Sequence, residues 1–110
     1  MTDVLNTELI EELKAIMEDD FGELLGEFLR ESERQYLQAQ TAWKSGDYDV
    51  LRRAAHSLKG SCANIGAQVL QHTCAALEQS AKDQELAPVP ELLQHARTQL
   101  TEVCDRLKTL

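Results

Sequence analysis

"DVLRRAAHSLKGSCANIGA", residues 49–67, decides what kind of fold this chain can have. Its apolar residues recur at spacings of three and four, the mark of one buried helical face. On a helical wheel turning about 100° per residue with His56 at zero, Ala54, Leu58 and Ile65 fall within roughly 20° of the opposite pole. Leu51 lies about 40° from that pole, and Val50 and Cys62 flank the stripe. His56 therefore takes the centre of the solvent face. Gly60, on the same helix, costs up to roughly 1 kcal/mol against alanine. A glycine placed there beside a histidine needs a reason.

The helical period continues in both directions. Thr7 is expected to cap a short first helix carrying Leu9, Ile10, Leu13 and Ile16. Asp19 or Asp20 opens a long second helix with Phe21, Leu24, Leu25, Phe28, Ala39, Ala42 and Trp43 close to one face. "KSGD" at 44–47 reads as a turn plus an N-cap, Gly46 ending one helix and Asp47 starting the next. That helix runs to about Asn64, and Gly66 breaks or kinks it. A further helix carries Ala67, Leu70, Cys74, Leu77 and Ala81 on one side. "APVP" at 87–90 marks a loop, with Pro90 near the first turn of a last helix bearing Leu93, Ala96, Leu100, Val103 and Leu107. Four substantial amphipathic helices on short loops predict an all-α fold, an antiparallel four-helix bundle with a short additional N-terminal helix. One domain over residues 1–110 is expected, since no repeat, low-complexity tract or second core is present.

Composition narrows the function. Eleven Lys and Arg against 19 Asp and Glu give a net charge of −8 with neutral histidines. Nucleic acid or an anionic membrane surface would repel such a chain. No apolar run reaches the length of a membrane span, and the first residues carry no basic segment followed by an apolar one. A soluble, cytoplasmic protein is expected. Cys62, Cys74 and Cys104 are odd in number and lack framework spacing, so they read as reduced, small apolar residues of the core. His72 and Cys74 are two residues apart and point in different directions on a helix, which makes a poor metal pair. The strands of a nucleotide-binding βαβ unit are absent, as is any GxGxxG or GxxxxGK loop, so ATP binding is not expected. Neither a metal nor any other cofactor is anticipated.

The neighbours of His56 carry the functional argument. Arg52 and Arg53 lie a turn below it, Lys59 and Gly60 a turn above, and Ala63 one turn further. Cations beside an imidazole favour its neutral, nucleophilic form, and they stabilise an added group bearing about two negative charges, as a phosphoryl group does. Small residues on the other side leave room for something bulky to come down on the ring. Access to His56 is thus the reason offered for Gly60. His72 serves as a control: its helical neighbours Gln68, Val69, Ala75 and Ala76 include no cation, and it reads as an ordinary surface residue. His95, beside Leu92 and Ala96, reads the same way.

These residues resemble a known signature. "HSLKGSCANIGA", with His56, Leu58, Lys59, Gly60, Ala63, Ile65 and Gly66, is similar to the motif of histidine-containing phosphotransfer (HPt) domains. The resemblance extends through "LQHTCAALE" and the bundle to nearly the whole chain. It implies a phosphorelay intermediate without kinase activity of its own. Receiver domains of response regulators, or a hybrid sensor histidine kinase, would be its partners. By the resemblance His56 is the phosphoacceptor, Lys59 helps hold the phosphoryl oxygens and Gly60 keeps the approach clear. Arg52, Arg53 and Ala63 support them. Catalytic Mg²⁺ would belong to the receiver, the protein would be a monomer, and the starting Met suggests a free-standing domain. Leu9, Leu13, Ile16 and Met17 of the first helix are expected mainly in the core, and secondarily in the receiver surface.

One position departs from the resembled pattern. Many members have glutamine 22 residues past the histidine, and here that residue is Glu78. A carboxylate there would accept Nδ1–H and leave Nε2 as the nucleophile, while repelling an incoming phosphoryl group somewhat. The alternative for Glu78 is a solvated surface carboxylate. Two rival readings of the whole chain stand beside phosphotransfer. One is a non-phosphorylated helical docking adaptor for a receiver or kinase. The other, a metal- or haem-binding bundle, needs ligands projecting inward, and His56 and His72 face outward.

Overall fold

Residues 4–110 are described in the computed structural model, so Met1–Asp3 of the expected domain lie outside the described residues. Asn6, rather than Thr7, caps α1 (Thr7–Met17): its side chain accepts a hydrogen bond from the Leu9 N–H at 3.2 Å. The difference is one residue, and both types satisfy the same orphan N–H. A 3-10 turn over Glu18–Asp20 leads into α2 (Phe21–Ser45). Gly46, at φ 75°, closes α2 in the left-handed conformation, and the Asp47 carboxylate then accepts from the Val50 N–H to start α3 (Tyr48–Ile65). Gly66 ends α3 at φ 74°, α4 covers Gln68–Asp83, and α5 covers Val89–Lys108 with Pro90 in its first turn.

Each helix contributes one apolar face to a shared core. α3 packs between α2 and α4, α4 packs on α5, and α5 closes back on α2. That is the expected antiparallel four-helix bundle with a short N-terminal helix beside it. Leu51, Leu58, Ile65, Leu70, Leu77, Val89, Leu100 and Val103 are buried to 2 % exposure or less. Removing such a side chain to alanine costs about 2–5 kcal/mol. Cys62 and Cys74 are buried free thiols, whereas Cys104 is only half-buried.

Three features depart from the apolar stripes. Ile16 is 79 % exposed, because the buried side of α1 centres on Ile10 with Leu13 and Met17, and Ile16 falls about 120° from Ile10. Between Phe28 and Ala39 the core face of α2 is filled by Ser32, Gln35 and Tyr36. The Tyr36 hydroxyl donates to the Leu93 carbonyl at 3.0 Å, tying α2 to α5. Beside it, Arg97 grips Glu33 through two hydrogen bonds of 2.9 Å and lies 4.8 Å over the Tyr36 ring.

The segment before α1 is fixed to the turn between α3 and α4. The Asn6 N–H donates to the Gly66 carbonyl at 2.8 Å. A Cβ on Gly66 would stand 3.0 Å from Asn6 Cβ, so glycine is needed for the approach as well as for the φ. Among the described residues no helix is long and apolar enough to cross a membrane.

Candidate functional site

The middle of α3 presents His56. Ala54, Ala55 and Leu58 are buried around it, so the ring stands on a backbone held from below. Its side chain is 64 % exposed. α4 runs alongside, anchored by Cys74, Leu77 and Ala81 in the core, and Glu78 follows directly on Leu77 at the edge facing α3. The Glu78 side chain retains 20 % exposure.

One carboxylate serves two partners. Glu78 Oε2 lies 2.8 Å from His56 Nδ1, and Oε1 lies 2.6 Å from Lys59 Nζ. Residues three apart on α3 share a face, which lets a single acid on α4 span both. An ionised carboxylate can only accept, so Nδ1 carries the proton of this pair, and a neutral ring keeps its lone pair on Nε2. Burial pushes the Glu78 carboxyl up, but hydrogen bonds from Lys59 and His56 outweigh it and hold the group below its ordinary value.

Of the three cations read around the ring, only Lys59 joins this cluster. Arg52 and Arg53 are instead turned onto Asp49, at 3.0 Å and 3.1 Å. The Arg52 hydrogen bond, helped by the charges of both guanidinium groups, outweighs the effect of burial and holds the Asp49 carboxyl below its ordinary value. Asp49 precedes Arg52 by three residues and Arg53 by four, a helical pairing visible in the sequence that the reading of the cations left out.

The space around the ring is open. Gly60 is exposed, and nothing stands within 4 Å of where its Cβ would be. Ala63, a turn further on, is exposed too. Packing therefore gives no reason for glycine at 60. On the α2–α3 seam, a groove of about 300 Å³ has Leu24, Phe28 and Ile65 in its lining, with Glu27, Glu31 and Asn64 among its polar residues. Ser61, also in the lining, donates its hydroxyl to Gln35 Oε1 at 3.0 Å. His72 and His95 are exposed, and His95 Nε2 lies 3.8 Å from Glu91 Oε1. Among the described residues, no three His, Cys, Asp or Glu side chains are placed to hold a metal.

Comparison with known proteins follows the same lines. The family model of the Hpt domain matches residues 23–109. A histidine-containing phosphotransfer protein B (HptB) from Pseudomonas aeruginosa PAO1 superposes with a TM-score of 0.95 at 32% identity, over 99% of this chain and 95% of that one. A candidate histidine-containing phosphotransfer protein from rice superposes with a TM-score of 0.85 at 22% identity, over 96% of this chain and 79% of that one, and shares the fold. Among curated protein sequences no match was found.

Proposed function

The chain belongs to the Hpt domain family, and from that premise we propose that it is a phosphorelay carrier whose phosphoacceptor is His56. Its partners are receiver domains of response regulators, or a hybrid sensor histidine kinase, within the cytoplasm. The protein acts as a carrier rather than an enzyme, as a monomeric single domain over residues 1–110. One observation supports this reading above the others: an exposed imidazole whose Nδ1 is held at 2.8 Å by a carboxylate, leaving Nε2 as the free nitrogen.

The chemistry follows from that geometry. The lone pair of Nε2 attacks the phosphorus of a receiver's aspartyl phosphate. The P–N bond forms as the acyl P–O bond breaks, and the aspartate leaves as a carboxylate. Lys59 supplies positive charge to the phosphoryl oxygens, and Glu78 fixes the ring's tautomer and direction. Gly60 and Ala63 leave the approach open, while Arg52 and Arg53 add a positive rim held by Asp49. A catalytic Mg²⁺ would belong to the receiver.

The test is phosphoryl transfer from a phosphorylated receiver, with His56→Gln as control. Label that is acid-labile and base-stable on the wild type and absent from the variant supports the reading. If a panel of receivers labels neither protein, the docking-adaptor reading replaces it.

A further inference from the structure

The Glu78 carboxylate has a second consequence, which rests on the carrier reading and concerns the phosphorylated state. We propose that Glu78 keeps the Nδ1 proton on the ring after Nε2 has taken the phosphoryl group, so that the protein carries its cargo as a phosphoimidazolium. Glu78 is in this sense a positioning residue, acting on the reacting nitrogen through the ring.

The balance of the step requires no proton to move. A neutral imidazole with Nδ1–H donates its Nε2 lone pair to phosphorus, and the donor carboxylate departs with the P–O electron pair. The product ring bears one positive charge, delocalised over both nitrogens, with the proton still on Nδ1. Onward transfer reverses the step: the P–N electron pair returns to Nε2, and the leaving group is a neutral imidazole. If Nδ1 lost its proton in between, the leaving group would be an imidazolate, a far poorer one. Retention of that proton therefore governs how readily the cargo departs.

The structure supplies the device for retaining it. Glu78 Oε2 stands 2.8 Å from Nδ1 and is mostly covered, so its attraction for a cationic ring is less screened than that of a surface acid. A glutamine of the same length offers an oxygen for the same hydrogen bond but no charge. Of the charged residues a turn away on α3, Lys59 is bonded to Glu78 Oε1, and Arg52 and Arg53 are both turned onto Asp49. Glu78 is thus the single acid hydrogen-bonded to His56 among the described residues, and the one whose loss should release the proton.

The experiment loads the ¹⁵N-histidine-labelled protein in two ways, with a phosphorylated receiver and with phosphoramidate as a small-molecule donor. Nδ1 protonation of phospho-His56 is then followed against pH by ¹H–¹⁵N correlation spectra, in the wild type and in Glu78→Gln. The midpoint for losing the Nδ1 proton is expected about one to two pH units higher in the wild type. The rate of transfer to a receiver should fall off at the same shifted pH. A substitution that only loosened the helix pair would alter docking or melting temperature and leave the midpoint unmoved. Coincident midpoints, or a lower one in the wild type, would overturn the inference while leaving the carrier reading intact. If phosphoramidate loads His56 with the expected shift but no receiver does, the carrier reading fails and the protonation inference stands.

Discussion

Lys59 Nζ lies 2.6 Å from Glu78 Oε1, so the cation read as holding the phosphoryl group is already engaged by a carboxylate on the next helix. Its role in transfer then requires an exchange of partners, from a single negative charge to a group carrying about two. Lys59→Ala is expected to lower the initial rate of labelling by about tenfold or more, in line with the loss of one charge that stabilises a transition state. The ion pair sits at a part-exposed surface, where such pairs contribute about 0–1 kcal/mol. Thermal melting should therefore barely change. An unaltered transfer rate would show that Lys59 serves Glu78 rather than the cargo.

Gly60 allows stability and function to be separated by one methyl group. Since nothing stands within 4 Å of the position a Cβ would take, Gly60→Ala fits the free protein. Alanine in a helix interior is favoured over glycine by about 0.8–1 kcal/mol, so the variant should melt higher. Transfer from a receiver should slow, because the added methyl occupies the approach to His56. A variant that melts higher and transfers as fast as the wild type would leave Gly60 without the role given to it.

Acid should weaken the contact between α3 and α4. Hydrogen bonds from Lys59 and His56 overcome the effect of burial and hold the Glu78 carboxyl below its ordinary value of 4.5. A depressed carboxylate binds fewer protons folded than unfolded, so its contribution is present above about pH 4.5 and is lost as pH falls through the folded value. Melting temperature followed downward from pH 6 should decline less steeply in Glu78→Gln than in the wild type. Parallel curves would mean that the pair adds nothing to stability.

Across the bundle, Tyr36→Phe removes the hydroxyl that donates to the Leu93 carbonyl at 3.0 Å. Denaturant unfolding should show a loss of about 1 kcal/mol, the net value of such a hydrogen bond. Labelling of His56 by a receiver should remain at the wild-type rate, because this bond lies on the α2–α5 side. A loss of transfer without a loss of stability would contradict that separation.

Local features of this fold were legible in the sequence. Gly46 and Asp47 carry their own turn and cap chemistry, and the stripes Leu51–Ala54–Leu58–Cys62–Ile65 and Leu93–Ala96–Leu100–Val103–Leu107 declare spacings of three and four. What escaped was non-local. Ser32 and Gln35 are polar residues on a core face, and no pattern of apolar spacing marks them as buried. Glu33 and Arg97 meet across 64 residues of chain, which only the closed bundle brings together. At the site, the exposure of His56 followed from the wheel, and Glu78 was singled out by its departure from the resembled family. Its grip on both His56 and Lys59 needed two helices side by side. The diversion of Arg52 and Arg53 to Asp49 was open to view by spacing alone and shows the limit of counting cations without the acids between them.

His56 stands at the centre of a helix, on a backbone pinned by Ala54, Ala55 and Leu58, and not on a loop. On the carrier reading proposed above, an acceptor mounted this way would have almost no backbone freedom to surrender when a partner arrives. The reorganisation needed for each handover would then fall to the proteins that meet it. A single rigid post of this kind can serve successive visitors of different shape, since each adjusts to the same fixed nitrogen.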